Sequence, residues 1–371
     1  MYALILIAYH FLFFFKFYRN PYLLCTSEIA STFFPHWIWM GRELREGRFP
    51  AQDDIYYKLP GSIPFLATFY PPNLIASYIG SFLSLDNAFR LYAYFIIGHY
   101  FLASLFAYFL FGNLFCALTL AYAGYCIKLQ QPTITYTMAW IPLAFKGGLL
   151  GGLGWAMSLL GGYYPVLVYV MPLILMLQPL SFIGGSLLAS SQLLPFLGYF
   201  KRSIRCKEKT DKSFGRLPIW KLKELFIPPK TQDHVNGVHF PEVSLYMGIA
   251  VLFIWQASWW WAPLIFSILI VVGILPAIQR ISSRSLYLFS VSLSILISSH
   301  FPQYGGVSLF LLQGLLLLQN SSIYPSFPFS QWWDRPSRLY TKKPKMNNWP
   351  HLTGYLEGRS ISDYRGSFRL A

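Results

Sequence analysis

Between Leu91 and Phe200 only Lys128 and Lys146 carry a formal charge, and between Ser285 and Trp333 no Asp, Glu, Lys or Arg occurs. A helix crosses a hydrocarbon core of about 30 Å with about 20 mostly apolar residues. Tracts several such lengths long, almost without charge, read as spanning helices packed side by side. Soluble domains carry about 25% charged residues, whereas this chain of 371 residues carries 12%, with 55% hydrophobic and 19% aromatic. In water so apolar a surface would aggregate. The pattern excludes an ordinary soluble enzyme. It predicts an all-α integral membrane protein, a polytopic bundle of about 10–12 transmembrane helices.

Hydropathy places spans at 2–18, 91–111, 112–128, 135–149, 150–162, 163–179, 181–200, 243–257, 259–279, 285–299 and 306–319. Residues 71–85 open on Pro71 and Pro72 beside Tyr70, and read as a short helix entering or lying on the membrane. Met1–Phe17 lacks a basic leader and a small-residue cleavage site, so it is expected to stay as a first anchor. Glycine pairs at 147–148, 151–152, 161–162 and 184–185 are expected to serve turns and close helix packing. The chain then divides into a membrane body, 1–320, and a basic polar tail, 321–371. The body contains a first polar loop, 19–64, expected outside the cytoplasm, and a basic loop, 201–240.

Residues 201–224 hold nine Lys/Arg against three acids and the tail from Asp334 holds eight against three, giving +6 and +5 of the net +15. Placed beside spans, such charge suits the phosphates of membrane lipid. Nucleic acid is not expected as a partner, because no binding fold accompanies the basic runs. The positive-inside rule assigns 201–224 to the cytoplasm, whereas counting spans from a cytoplasmic N-terminus puts 201–240 outside, and both assignments stay open. Cys25, Cys116, Cys126 and Cys206 show no paired spacing, and the seven histidines form no metal motif. No cofactor and no dedicated metal site are expected.

Chemistry-bearing residues gather after the first span. Glu28 lies just beyond it. Arg42-Glu43-Leu44-Arg45-Glu46-Gly47-Arg48-Phe49-Pro50 reads as a helix end with Gly47 as terminator. Asp53 and Asp54 follow. A carboxylate held at a membrane surface can act as a general base towards a hydroxyl, or bind a divalent cation. The plainer readings are a solvated turn for Asp53 and Asp54, a helix cap or interfacial ion pair for Glu28, and surface ion pairs at helical spacing for Glu43 and Glu46. His99, inside an apolar span, is either a functional group or a histidine bonded to a nearby Ser or Tyr.

Several motifs, in this order, resemble one family. Glu28-Ile29, Thr32 and Pro35 come first, then Gly47-Arg48-Phe49-Pro50, Gly61 with Pro64, and Tyr70-Pro71-Pro72-Asn73. Leu102-Ala103, Ala139-Trp140-Ile141-Pro142-Leu143, Gln192-Leu193-Leu194-Pro195, Arg202-Ser203-Ile204-Arg205 and Pro241-Glu242-Val243-Ser244 continue the series. Over roughly residues 20–260 the chain resembles YfhO-like bacterial membrane proteins, which have a glycosyltransferase-C type fold. Where that family has Asp followed by Gln, this chain has Glu28 and Thr32, and Gly162-Tyr163-Tyr164-Pro165 stands where Gly-His-Pro-Gln is usual.

The resemblance implies a glycosyltransferase of the bacterial cytoplasmic (inner) membrane. It would move a sugar from a polyprenyl-phosphate donor to a glycan or protein acceptor of the cell envelope. Glu28, Asp53 and Asp54 would then be the candidate catalytic acids, and Lys201, Arg202 and Arg205 the candidates for holding the donor phosphate. The alternatives are a transporter or flippase using the same broken helices, or a non-catalytic subunit in envelope assembly.

Overall fold

A computed structural model describes residues 2–24, 29–50, 52–53, 59–60, 66–122, 131–202 and 258–272, with short pieces at 274–275, 287–288, 291–293 and 295–296. These are mostly helical. In chain order come α1 (Tyr2–Phe13), α2 (Phe15–Arg19), a 3-10 turn (Pro21–Leu24), a π-helical turn (Ile29–Phe33) and α3 (Phe34–Arg45). Two residue pairs, β1 (Gln52–Asp53) and β2 (Leu59–Pro60), form a minimal antiparallel ladder with Asp53 opposite Leu59. Then follow α4 (Pro71–Gly80), α5 (Leu85–Phe111), α6 (Leu114–Tyr122), α7 (Pro132–Ala144), α8 (Gly148–Leu160), α9 (Tyr164–Leu177), α10 (Pro179–Leu188), α11 (Ser190–Arg202) and α12 (Trp261–Val271).

Local chemistry sets many of these boundaries. Proline stands in the first turn of α3, α4, α7, α9 and α10, where a missing N–H leaves no hydrogen bond unmade. The Ser84 hydroxyl accepts from the Asn87 N–H and Asp86 lies in the first turn of α5, favourable at the positive end of the helix dipole. Gly112 closes the same helix in the left-handed region at φ 63°. The expected stop at Gly47 is met: α3 ends at Arg45 and Gly47 takes φ 76°.

The interior is built around α7, whose residues are all buried except the half-buried Trp140. It packs between α5 and α8, while α10 lies along the other side of α8. Small residues permit this approach. A β-carbon on Gly154 would stand 2.6 Å from the Ala144 nitrogen of α7, and one on Gly185 would collide with the Gly152 carbonyl of α8. Ser181 donates to the Gly148 carbonyl (3.0 Å) and Trp155 to the Ser186 hydroxyl (3.1 Å), adding two polar ties along α8 and α10. Of the paired glycines, Gly147, Gly148 and Gly162 take positive φ, and Gly151, Gly161 and Gly185 make close contacts.

Some polar side chains are enclosed within the apolar core, and several large apolar ones stand outside. His10, His36, Asn73, His99, Thr135, Thr137 and Gln192 are buried, while Leu149, Leu180 and Leu187 are 88%, 83% and 68% exposed. Several helices are shorter than the sequence suggests, although α5 begins six residues before its expected span. Among the described residues, only α5 is long and apolar enough to cross a membrane by itself. α10 and the first part of α11, to Gly198, qualify together across a 78° bend. The segments expected to span at 135–149, 150–162 and 163–179 form helices of 13, 13 and 14 residues. At 1.5 Å per residue each is about 20 Å long, against the roughly 30 Å of a hydrocarbon core. Pro132 and the glycine turns at Gly147 and Gly162 shorten them by fixing their ends. The expected spans at 243–257 and 306–319 lie outside the described residues.

Candidate functional site

The loop after the first helices is framed by α3 and α4. The π-helical turn Ile29–Phe33 leads directly into α3, following Glu28 in sequence. Such turns widen the helix by one residue and are frequent at functional sites. The first two turns of α3 are wholly buried, from Phe34 to Gly41. Trp37 lies against Gly80, and Gly41 lies against the Ser77 carbonyl, so α3 and α4 touch side chain to backbone at the first point and backbone to backbone at the second. The charges of α3 fall only in its last turn and just beyond.

That last turn is organised by Arg48. Its Nε and Nη2 donate to both oxygens of Glu43, at 2.7 and 3.0 Å, and it also forms an ion pair with Glu46. These bonds push the Arg48 guanidinium pKa further up from its ordinary value, the hydrogen bond to Glu43 most strongly. The two acids were expected to pair at helical spacing. Instead the chain turns at Gly47 and returns Arg48 to them.

On the opposite side of the loop, Ala67 adopts φ 52°, a left-handed conformation uncommon without glycine. Its carbonyl accepts from the Tyr70 N–H (3.2 Å) and from the Asn73 side-chain amide (3.1 Å), which hold the turn that starts α4. Tyr70 then points inward. Its hydroxyl accepts from Trp140 Nε1 (2.6 Å) and meets His99 Nε2 at 2.8 Å. His99 Nδ1 lies 2.7 Å from the Phe95 carbonyl, which can only accept, so Nδ1 carries a proton and Nε2 is left to accept from Tyr70. Of the two readings of His99, the structure shows the bonded one.

A parallel network surrounds His10, which lies 2.9 Å from the Tyr122 hydroxyl and 2.8 Å from that of Tyr18. No local motif marked His10 or its partners. Between α5, α6 and α7, His99, Tyr100, Thr135 and Met138 line a cavity with room for about one water, too small for a sugar. Tyr70→Phe removes a hydroxyl that serves Trp140 and His99 together. It is expected to lower stability by about 2 kcal/mol, read as a fall in the thermal midpoint of the detergent-solubilised protein.

The candidate acids and cations stand as follows. Asp53 lies in β1, opposite Leu59, and its backbone alone is described. Lys201 and Arg202 are the last two residues of α11, again by backbone alone. Glu28, Asp54 and Arg205 lie outside the described residues. Among the described residues no group of three or more His, Cys, Asp or Glu could hold a metal ion. No family model, curated protein or solved structure matches the chain.

Proposed function

We propose that this chain is a polytopic membrane glycosyltransferase of glycosyltransferase-C kind, in the bacterial cytoplasmic membrane. It transfers a sugar from a polyprenyl-phosphate donor to a cell-envelope glycan or protein. The observation that carries the reading is the ordered set of motifs in the first loop. Glu28 precedes a π-helical turn, Gly47 and Pro50 close α3, and Tyr70-Pro71-Pro72-Asn73 opens α4. The leucine-rich exterior supports a lipid surround, because those leucines lose nothing by facing acyl chains.

The chemistry asks for three things. A donor anchored in the bilayer presents its phosphate at headgroup depth, where Lys201, Arg202 and Arg205 would meet it. An acceptor hydroxyl needs a base on the same side, the part given to Glu28 with Asp53 or Asp54. As the acceptor oxygen bonds to the anomeric carbon, its proton passes to the carboxylate and the sugar–phosphate bond breaks. The polyprenyl phosphate leaves with the electron pair. All six residues must therefore face one compartment.

Single cysteines at 28, 53 and 205 test this in sealed cells with a membrane-impermeant thiol reagent. The expected result is labelling of all three from the same, outer side. Labelling of 205 from the opposite side to 28 and 53 would separate base from phosphate site and end the proposal. A second reading, a lipid flippase, draws on the 78° bend between α10 and α11, since broken helices line many transport paths. It is distinguished by movement of labelled donor lipid across vesicles without sugar transfer.

A further inference from the structure

The helix α4 carries its side chains in an unusual order. Asn73, Ala76, Ser77 and Gly80 face the protein, whereas Ile75, Tyr78 and Ile79 are 63%, 43% and 50% exposed. Phe82, one turn further, is 60% exposed and stacks edge-on against Tyr78 at 5.1 Å. The spacing i, i+3, i+4, i+7 makes one continuous apolar stripe that runs from the ten-residue helix into the turn after it. The inward face is small and polar, so the large residues are not leftovers of a packed core.

Cations border the stripe. Arg45 Nη1 donates to the Ser81 carbonyl at 3.2 Å, and its guanidinium carbon lies 5.7 Å from the centre of the Phe82 ring. Arg42, half-buried, sits one helical turn earlier on the same side of α3. Arg48 takes both Glu43 and Glu46 as its ion-pair partners, although Glu46 still acts on Arg42 through space. Burial first, and then the neighbouring Arg45, push the Arg42 guanidinium pKa down from its usual value, and Glu46 offsets part of this. Two guanidinium groups one turn apart, neither held by a carboxylate among the described residues, fit a single phosphate placed between them.

We propose that the α3–α4 corner docks on an anionic phospholipid, with Arg42 and Arg45 on its headgroup phosphate and the Ile75–Tyr78–Ile79–Phe82 stripe in the acyl region. Charge beside apolar surface decides the occupant. A helix buried at bilayer mid-depth would not carry arginines at its edge, and a water-facing one would not expose four large apolar side chains. A helix in the plane of the interface accommodates both, with its apolar face about 5–10 Å below the headgroups. The inference rests on the membrane reading proposed above, and adds to it the depth of this corner and the lipid it selects.

The test uses the full chain in vesicles of phosphatidylcholine containing phosphatidylglycerol. A fluorophore on Ile79→Cys is challenged with nitroxide lipids quenching at shallow or deep positions and with a water-soluble quencher. The same label on Leu180→Cys, on the outward face of α10, is the control. Expected is strong shallow quenching at 79 and lipid quenching at 180. Lipid quenching at 180 with none at 79 overturns the inference alone, whether water, a second copy or another part of the chain covers the stripe. No lipid quenching at either position overturns the membrane reading with it.

Retained lipid is then counted by mass spectrometry after detergent extraction. R42Q/R45Q should retain phosphatidylglycerol at least several-fold less than the unmodified chain. Arg48→Ala, which leaves both arginines in place but frees Glu43 and Glu46 to compete, should also retain less. Unchanged retention in both variants, or preference of the site for a polyprenyl phosphate over phosphatidylglycerol, overturns the proposal.

Discussion

Gly154→Ala is expected to lower the thermal midpoint of the solubilised protein by several degrees, while Gly184→Ala raises it slightly. The substitution is the same and both glycines lie within helices, so the opposite signs must come from their surroundings. At Gly154 the added carbon would lie 2.6 Å from the Ala144 nitrogen and 2.8 Å from the Leu143 carbonyl carbon. Both atoms belong to the backbone of α7, the most deeply buried helix, and neither can yield without moving that helix. Overpacking of this kind costs about 1–3 kcal/mol and sometimes more. We place Gly154→Ala at about 3 kcal/mol, because the obstacle is backbone rather than a flexible side chain.

Gly184 has no atom within 4 Å of an added β-carbon. Alanine there keeps its helical conformation and removes freedom from the unfolded chain, a gain of about 0.5–1 kcal/mol. Gly185 shares the fate of Gly154, since its β-carbon would also stand 3.0 Å from the Ala156 nitrogen. Circular dichroism or fluorescence melting of the three alanine variants in one detergent decides the matter. Equal midpoints for Gly154→Ala and Gly184→Ala would mean that α7 and α8 are not in backbone contact.

The same residues mark what the sequence could reveal. Gly184 and Gly185 are neighbours of identical type in a glycine pair, yet one faces α8 and the other faces outward. The pair announces close packing without saying which member provides it, because that depends on the rotation of α10 about its axis. Boundaries were more legible. Gly47 stops α3 and Pro71 starts α4, since positive φ and a missing N–H act on the residue itself. Arg48 was not legible as the partner of Glu43 and Glu46. Helical spacing suggested partners within the helix, but Gly47 reverses the chain and brings the next arginine back.

Distance in sequence hid the rest. His99 stood out as an ionisable group in an apolar run, and a tyrosine partner was among its expected uses. Its identity, Tyr70, required the turn at Ala67 and the packing of α4 on α5. His10 joins Tyr122 across 112 positions, a pairing no local pattern encodes. Between 132 and 179 hydropathy located the helices but overstated their lengths, because apolar composition continues through glycine and proline turns that end the backbone hydrogen bonding. For the candidate site, the frame of α3 and α4 was legible from Pro35, Gly47 and Pro71. Convergence of its acids with the cations at 201–205 depends on topology, which composition alone leaves with two opposing assignments.

Glu28→Gln is expected to reduce sugar transfer from a polyprenyl-phosphate donor by about 10²–10⁴-fold, the usual contribution of a positioned general base. Glutamine keeps the length and shape of the side chain and removes only its capacity to accept the acceptor's proton. The thermal midpoint should therefore stay within a degree or so of the unmodified protein, separating loss of chemistry from loss of fold. Glu43→Gln is the matched control. Its carboxylate is held by Arg48 through two hydrogen bonds, so the guanidinium beside it weakens it as a base, and transfer should persist. Initial rates are measured in vesicles with a labelled lipid-linked sugar and excess acceptor. If Glu28→Gln and Glu43→Gln transfer equally, Glu28 is not the base and the role passes to Asp53 or Asp54. If no variant of the three acids slows transfer, the first loop does not house the chemistry, and the motif order after the first helix reflects a shared scaffold alone.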